Sequence, residues 1–167
     1  MISEIKIRQL TENDWSLYRE IRLEALAQEP EFFTSSEDES KFISEHWIER
    51  IANPNGALFG LFHQGQIIGL TSIHRENDDP KSYRAWLGSS YIKPDYRGLH
   101  LSELLFETRI EWAKNQGNII ALVVAHREDN EVSKKAIQHY GFKLVDSRTK
   151  TYVDGTPATS LVYERPL

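Results

Sequence analysis

Two periods run through the apolar positions of this chain, and the switches between them mark out its elements. From Glu4 to Leu10, Ile5, Ile7 and Leu10 alternate with Lys6 and Arg8, the two-residue period of a half-buried strand. Thr11-Glu12-Asn13-Asp14 then reads as a capping-box-like helix start. Trp15, Tyr18, Ile21 and Ala25 follow at helical spacing until Pro30 stops the helix. The adjacent Phe32-Phe33 pair is expected first as a lid on the core and second as the rim of a cleft. Ser36-Glu37-Asp38-Glu39 reads as another capping box, opening a helix that carries Ile43, Trp47 and Ile51 and breaks at Asn53-Pro54-Asn55-Gly56.

Strands over 57–63 and 66–74 are predicted to pair as a hairpin across Gln64-Gly65. Asn77-Asp78-Asp79-Pro80 makes a polar loop before an extended run from Arg84 to Ile92. A helix over 99–115 carries Leu101, Leu104, Leu105, Thr108 and Trp112 on one stripe and ends at Asn115-Gln116-Gly117. Ile119 to Ala125 is continuously apolar, as in a strand buried on both faces. A short helix from Asn130 to Tyr140 ends at Gly141, and strands over 142–152 and 156–164 flank the turn Asp154-Gly155. The order β-α-α-β-β-β-α-β-α-β-β mixes hairpins with helical crossovers. It predicts an α/β (α+β mixed) fold, a mixed sheet covered by helices, in a single domain over residues 4–165.

Composition narrows the function. A length of 167 residues, 40% hydrophobic and 27% charged, suits one soluble globular domain. No apolar run is long enough to span a membrane and no basic-then-apolar leader is present, so a cytoplasmic location is expected. Twenty basic against twenty-five acidic residues give a formal charge of −5, and no basic cluster exceeds Lys134-Lys135. That argues against nucleic acid and for a cationic small molecule or basic peptide. The chain has no cysteine, which excludes disulfides, thiolate metal sites and a cysteine nucleophile. The six histidines lack zinc-site spacing, so no metal is expected.

The chemistry centres on Tyr91 to Ser102. Pro94 ends the strand, Gly98 allows a tight turn, and a helix begins at once. Unpaired amides and the positive end of the helix dipole make that junction a seat for phosphate. Arg97-Gly98-Leu99-His100-Leu101-Ser102 resembles the acyl-CoA pyrophosphate loop of the GNAT N-acetyltransferase superfamily, (Gln/Arg)-x-x-Gly-x-(Gly/Ala). His100 stands where that family has Gly, and Ser102 where it has Gly or Ala. The lead-in Ile-x-Pro-x-Tyr-Arg-Gly is similar too. Asn130-x-x-Ser133, with Gly141-Phe142 behind it, resembles the family's Asn-x-x-(Ala/Ser)-x7-Gly-Phe ending, and the order of elements matches over roughly residues 4 to 165.

The resemblance implies a GNAT-like sheet, mixed but mostly antiparallel, of about seven strands flanked by four helices, with acetyl-CoA as cosubstrate. It implies a pyrophosphate seat at 97–102, an arm site at Asn130 and Ser133, and backbone contacts from Ile92, whose amide is the expected donor to the thioester carbonyl. Direct transfer to a primary amine of a small molecule or peptide follows. The tyrosine many relatives place seven residues after the Asn is here Ile137, and Tyr140 reads as core. No motif names the general base. His74 is the first candidate, with Glu37, Glu39 and Glu76 behind it. Arg127 and Lys134 read as surface charges that could reach the phosphates, and Ser89 and Ser90 fit a strand facing a cleft. The competing readings are a non-catalytic acyl-CoA-binding or sensing module on the same fold and an unrelated nucleotide-binding α/β protein. The latter lacks its Gly-rich loop after the first strand. The acceptor's identity and the oligomeric state, a homodimer included, carry no sequence signal.

Overall fold

The computed structural model describes residues 4–167 and, at Ser89, the backbone alone. The elements follow the predicted order: β1 (Ile5–Gln9), α1 (Trp15–Gln28), α2 (Ser44–Ala52), β2 (Gly56–His63), β3 (Gln66–Arg75), β4 (Arg84–Ile92), α3 (Leu101–Gln116), β5 (Ala121–Arg127), α4 (Glu131–His139), β6 (Lys143–Thr151) and β7 (Pro157–Pro166). The strands form one seven-stranded sheet in the order β1-β2-β3-β4-β5-β7-β6. It is antiparallel throughout except where β4 meets β5. The mixed, mostly antiparallel sheet with four helices is the fold class the sequence predicts.

Each face of the sheet has its own core. Tyr18, Ile21 and Ala25 of α1 pack with Trp47 and Ile51 of α2 over Leu58, Ile67 and Leu70. On the other face Phe106, Ile110 and Ala113 of α3 and Ile137 of α4 pack over Phe59, Ile73, Leu87, Leu122 and Val124. Trp47 and Leu122 have no exposed surface, and burial of such side chains contributes roughly 1.5–3 kcal/mol each. The β2–β3 hairpin turns through Gln64 and Gly65, both at positive φ (51° and 78°), the geometry whose twist matches the flanking strands.

Three boundaries differ from the sequence expectation, each for a physical reason. The 36–39 capping box opens a 3₁₀ turn, Glu39–Lys41, rather than a helix, and α2 begins at Ser44. Glu39 does not reach back to the turn's start. Its carboxylate accepts from Arg22, Ser35 and Arg50 instead. The helix α3 starts two residues late because Gly98 and His100 both have positive φ (79° and 60°). Its buried face is Leu101, Leu105, Phe106, Arg109, Ile110 and Ala113, with Leu104, Thr108 and Trp112 at its half-buried edge. The strand β5 starts at Ala121, since the Ile120 amide bonds the Tyr83 carbonyl and its carbonyl accepts from Leu167.

Candidate active site

The one parallel seam is short. β4 and β5 pair from Arg84↔Ala121 to Leu87↔Val124 and then part, although β4 runs on to Ile92 and β5 to Arg127. A bulge in β4 helps to part them. Leu70 faces Tyr91 while Ser72 faces Gly88, so β4 spends one more residue than β3 there. Ser90 sits in the bulge and its hydroxyl bonds that of Thr71 at 2.8 Å. The side chain of Ser89 lies outside the described residues. The opened V is the floor of a cavity of about 990 Å³ lined from both sheet faces.

On the α3–α4 face the wall includes Ser102, Leu105, Phe106, Arg109, Asn130, Ser133 and Ile137. At the mouth, Leu99 and Leu101 pack inward against Leu61 and Ile68, which turns the backbone of the loop outward. No backbone acceptor takes the amides of Gly98, Leu99 or His100 among the described residues. The amides of Leu101 and Ser102 belong to the first turn of α3, where helical partners are lacking. A phosphate fits that row of donors. His100 supplies the left-handed conformation (φ 60°, ψ 25°) that glycine adopts freely. A side chain there costs about 1 kcal/mol.

Other predicted residues are placed as follows. The Arg97 guanidinium folds back on the Ile92 carbonyl at 2.9 Å and pairs with Glu29, the residue that follows α1. Ile92 itself stands at the open end of the V, about 13 Å by strand rise from Gly88 at the closed end. The amides beside the closed end are those of the bulge. Asn130 caps α4, its Oδ1 accepting from the Ser133 amide at 3.2 Å, while its Nδ2 has no partner among the described residues. Ile137 is buried in the core. Tyr140 stacks on Phe106 and its hydroxyl donates to the Glu103 carbonyl at 3.3 Å. Lys134 does not line the cavity.

The other wall is built from α1's exit, β3, β4 and the β6–β7 hairpin: Phe32, Phe33, His74, Glu76, Trp86, Arg148 and Tyr152 all line it. Phe32-Phe33 is therefore at the rim of a cleft. The hairpin tip is fastened over the V by backbone bonds from Val153 to the Phe33 carbonyl (2.8 Å) and from Asp154 to the Pro30 carbonyl (3.1 Å). Arg127 adds a bond to the Glu31 carbonyl at 3.1 Å and one to Thr156, and pairs with Asp129. That guanidinium is spent as a clasp on the hairpin.

Among the candidate bases, Glu37 is exposed and stands outside the cavity wall. Burial would raise the pKa of Glu39, yet its bonds from Arg22, Ser35 and Arg50 hold it at about 2. It cannot collect a proton near neutrality. Glu76 accepts from the Trp86 indole at 3.0 Å and pairs with Arg84. His74 faces the cavity beside Gly88, where a β-carbon would lie 3.9 Å from its Cε1. The surrounding protein lowers the His74 pKa by desolvation, against a smaller raising pull from Asp78. That direction favours the neutral ring, and the side chain is exposed toward the cavity.

Arg109 is the residue sequence reading missed, although a cation four and eight residues beyond Leu105 and Leu101 was a visible break in an apolar face. The bulge at Ser90 had no such signal, because register is set by the partner strand.

Comparison with known proteins agrees with this geometry. The family model described as the acetyltransferase (GNAT) family matches residues 17–142, while no curated protein matches significantly. Similar solved structures include an acetyltransferase of the GNAT family from Streptococcus pneumoniae, 20% identical with a TM-score of 0.78, the alignment covering 98% of this chain and 100% of that one. The yncA protein of Salmonella typhimurium, solved with its cofactor acetyl-CoA, is 17% identical with a TM-score of 0.77 over 98% and 94% of the two chains. A ribosomal-protein-alanine N-acetyltransferase from Brucella melitensis is 18% identical with a TM-score of 0.78 over 97% and 99%. At such identities the structures speak for the fold, and the family model for the chemistry. No helix among the described residues is long and apolar enough to cross a membrane. A split sheet with an amide-lined mouth, on a chain whose sequence matches the family along most of its length, has one consistent reading: this protein belongs to the GNAT family of acetyltransferases, with acetyl-CoA as its cosubstrate.

Proposed function

We propose that residues 4–165 act as one unit that passes the acetyl group of acetyl-CoA directly to a primary amine of a small molecule or an extended peptide end. The observation that carries this reading is the cavity that passes through the sheet at the β4–β5 split. It has an amide-lined helix N-terminus on one side and a neutral imidazole on the other. The backbone of 97–102 seats the pyrophosphate. The Nδ2 of Asn130, the hydroxyl of Ser133 and the free edge of β4 up to Ile92 hold the arm. The amides of the bulge, rather than that of Ile92, lie closest to where carbonyl oxygen charge develops. His74 removes the proton from the acceptor nitrogen. The hairpin fastened over the second wall favours an acceptor narrow enough to enter beneath it, which disfavours a lysine on a broad protein surface.

The test is calorimetric titration with CoA and acetyl-CoA, followed by thiol release over a panel of amines. The chain has no cysteine, so every thiol detected comes from the coenzyme. Micromolar binding with amine-dependent thiol release supports the transferase. Binding without release for any amine supports the sensing module, and no binding at millimolar coenzyme removes both.

A further inference from the structure

Arg109 occupies a position for which folding alone gives no reason. It is 2% exposed and lies in the centre of the buried face of α3. Its Nε donates to the Leu105 carbonyl at 3.0 Å, one turn back on its own helix. Its guanidinium lies over the Phe106 ring at 4.9 Å. No carboxylate pairs with it, and neither terminal nitrogen has an acceptor among the described residues. Burial without a counter-charge pulls its pKa down to about 9, so it remains a cation at neutral pH. An unpaired buried charge is strongly unfavourable, and here it borders the cavity.

Its place along the cavity identifies what it faces. Ser102 lines the mouth and Arg109 lies about 10 Å further down α3 at ~1.5 Å per residue, the side chain leaning back toward the mouth. That depth, on the wall shared with Asn130 and Ser133, is the coenzyme's side of the sheet and not the acceptor's. Other charged groups do not compete for it. Glu103, Glu107 and Glu111 are exposed on the outer face of α3. His126 of β5 is spent on the Arg127 carbonyl and the Tyr163 hydroxyl, and Arg75 of β3 on Ser82 and Asn118.

We infer that Arg109 is the fixed counter-charge for the coenzyme sulfur, a catalytic residue that stabilises the thiolate as it departs. The inference rests on the acetyl-transfer reading. In that reaction the acceptor nitrogen forms the new C–N bond, the electron pair of the breaking C–S bond is left on sulfur, and His74 takes the proton the nitrogen gives up. Arg109 meets the charge on sulfur without transferring a proton. A tyrosine at position 137 is then unnecessary, and Ile137 can serve the core.

The experiment is an ultraviolet pH titration of the thiolate in the binary complex of the enzyme with CoA, against free CoA and against the complex of desulfo-CoA as blank. The expected result is a bound thiol that ionises tenfold or more readily than the free one, its pKa lower by at least one unit. Arg109→Gln removes that preference and Arg109→Lys keeps part of it. Asn130→Asp weakens CoA binding but leaves the bound thiol's pKa where it was. A wild-type complex whose thiol titrates as in free CoA overturns the inference even if Arg109→Gln fails to fold. So does an acyl-CoA ending in a carboxylate that binds tenfold tighter than acetyl-CoA through Arg109, since the guanidinium would then read the acyl group. If CoA does not bind at all, the acetyl-transfer reading falls first; if it binds with an unshifted thiol, that reading stands and this inference alone fails.

Discussion

The two walls of the cavity satisfy their polar groups in opposite ways. On the α1 side each guanidinium already has a protein acceptor: Arg22 and Arg50 on Glu39, Arg84 on Glu76 and Glu164, Arg127 on the Glu31 carbonyl and Asp129, Arg148 on Asp146. On the α3 side, among the described residues, donors border the cavity with none: the amides just before α3, the Nδ2 of Asn130 and the two terminal nitrogens of Arg109. Groups left without partners inside a protein are costly, so the α3 wall is shaped for a ligand. The α1 wall is shaped to hold itself together and to present a surface.

Substitutions break this contrast with graded effects. The largest belongs to the self-satisfied wall. Glu39→Ala removes the carboxylate that Arg22 and Arg50 share, in a place where the Arg22 side chain is 8% exposed, and should cost about 3–5 kcal/mol in urea unfolding. A loss below about 1 kcal/mol would show that the cluster is incidental. The same carboxylate sets an acid limb. Its folded pKa of about 2 lies below the ordinary glutamate value of 4.5, so its contribution is complete above pH 4.5 and fades as pH falls toward 2.

Asn130→Asp sharpens the comparison from the other side. The aspartate keeps the oxygen that caps α4 and loses the amide donor, so melting should be unchanged while CoA affinity falls about tenfold, or ~1.4 kcal/mol. Equal loss of both would make Asn130 a cap alone. Next, the acid limb of kcat/KM should fall below the ordinary histidine value of 6.5, since the His74 pKa is lowered, and His74→Gln should abolish that limb. A limb that survives the substitution assigns the base elsewhere. The smallest effect is a gain. His100→Gly relieves a left-handed side chain worth about 1 kcal/mol, less some added entropy of the unfolded chain. A net stabilisation near 0.5 kcal/mol is expected, with CoA affinity intact.

The α3 wall was more legible in sequence because its chemistry is backbone chemistry. A loop that turns tightly into a helix leaves its mark in Pro94, Gly98 and the apolar run behind them, whatever the rest of the fold does. The Asn130 motif is likewise local, with cap and ligand group four residues or fewer apart. The α1 wall is assembled from residues far apart in the chain, as when Glu39 meets Arg22 and Arg50, or Val153 meets Phe33. Sequence showed an acidic run at 36–39 and read it as a capping box, since the partners that take Glu39 away from that role lie on two other helices. Arg109 fell between these cases. Its place in the stripe was visible, but the absence of a carboxylate beside it is a property of the packed interior.

The short parallel seam also has a mechanical meaning. Strands β1 to β4 form one antiparallel block and β5 to β7 another, and the ladder between them is short among the described residues: four pairs, 84 to 87 against 121 to 124, with the Ile120–Tyr83 bond at its end. Elsewhere the blocks are held by the helices and by the clasp at the hairpin tip. The site proposed for the coenzyme therefore lies along the line where the sheet is least sewn. A molecule lying in the V supplies hydrogen bonds that a continued strand pair would have made, so filling the site and mending the sheet are one event. Loading with coenzyme should tighten the union of the two blocks as it prepares the chemistry.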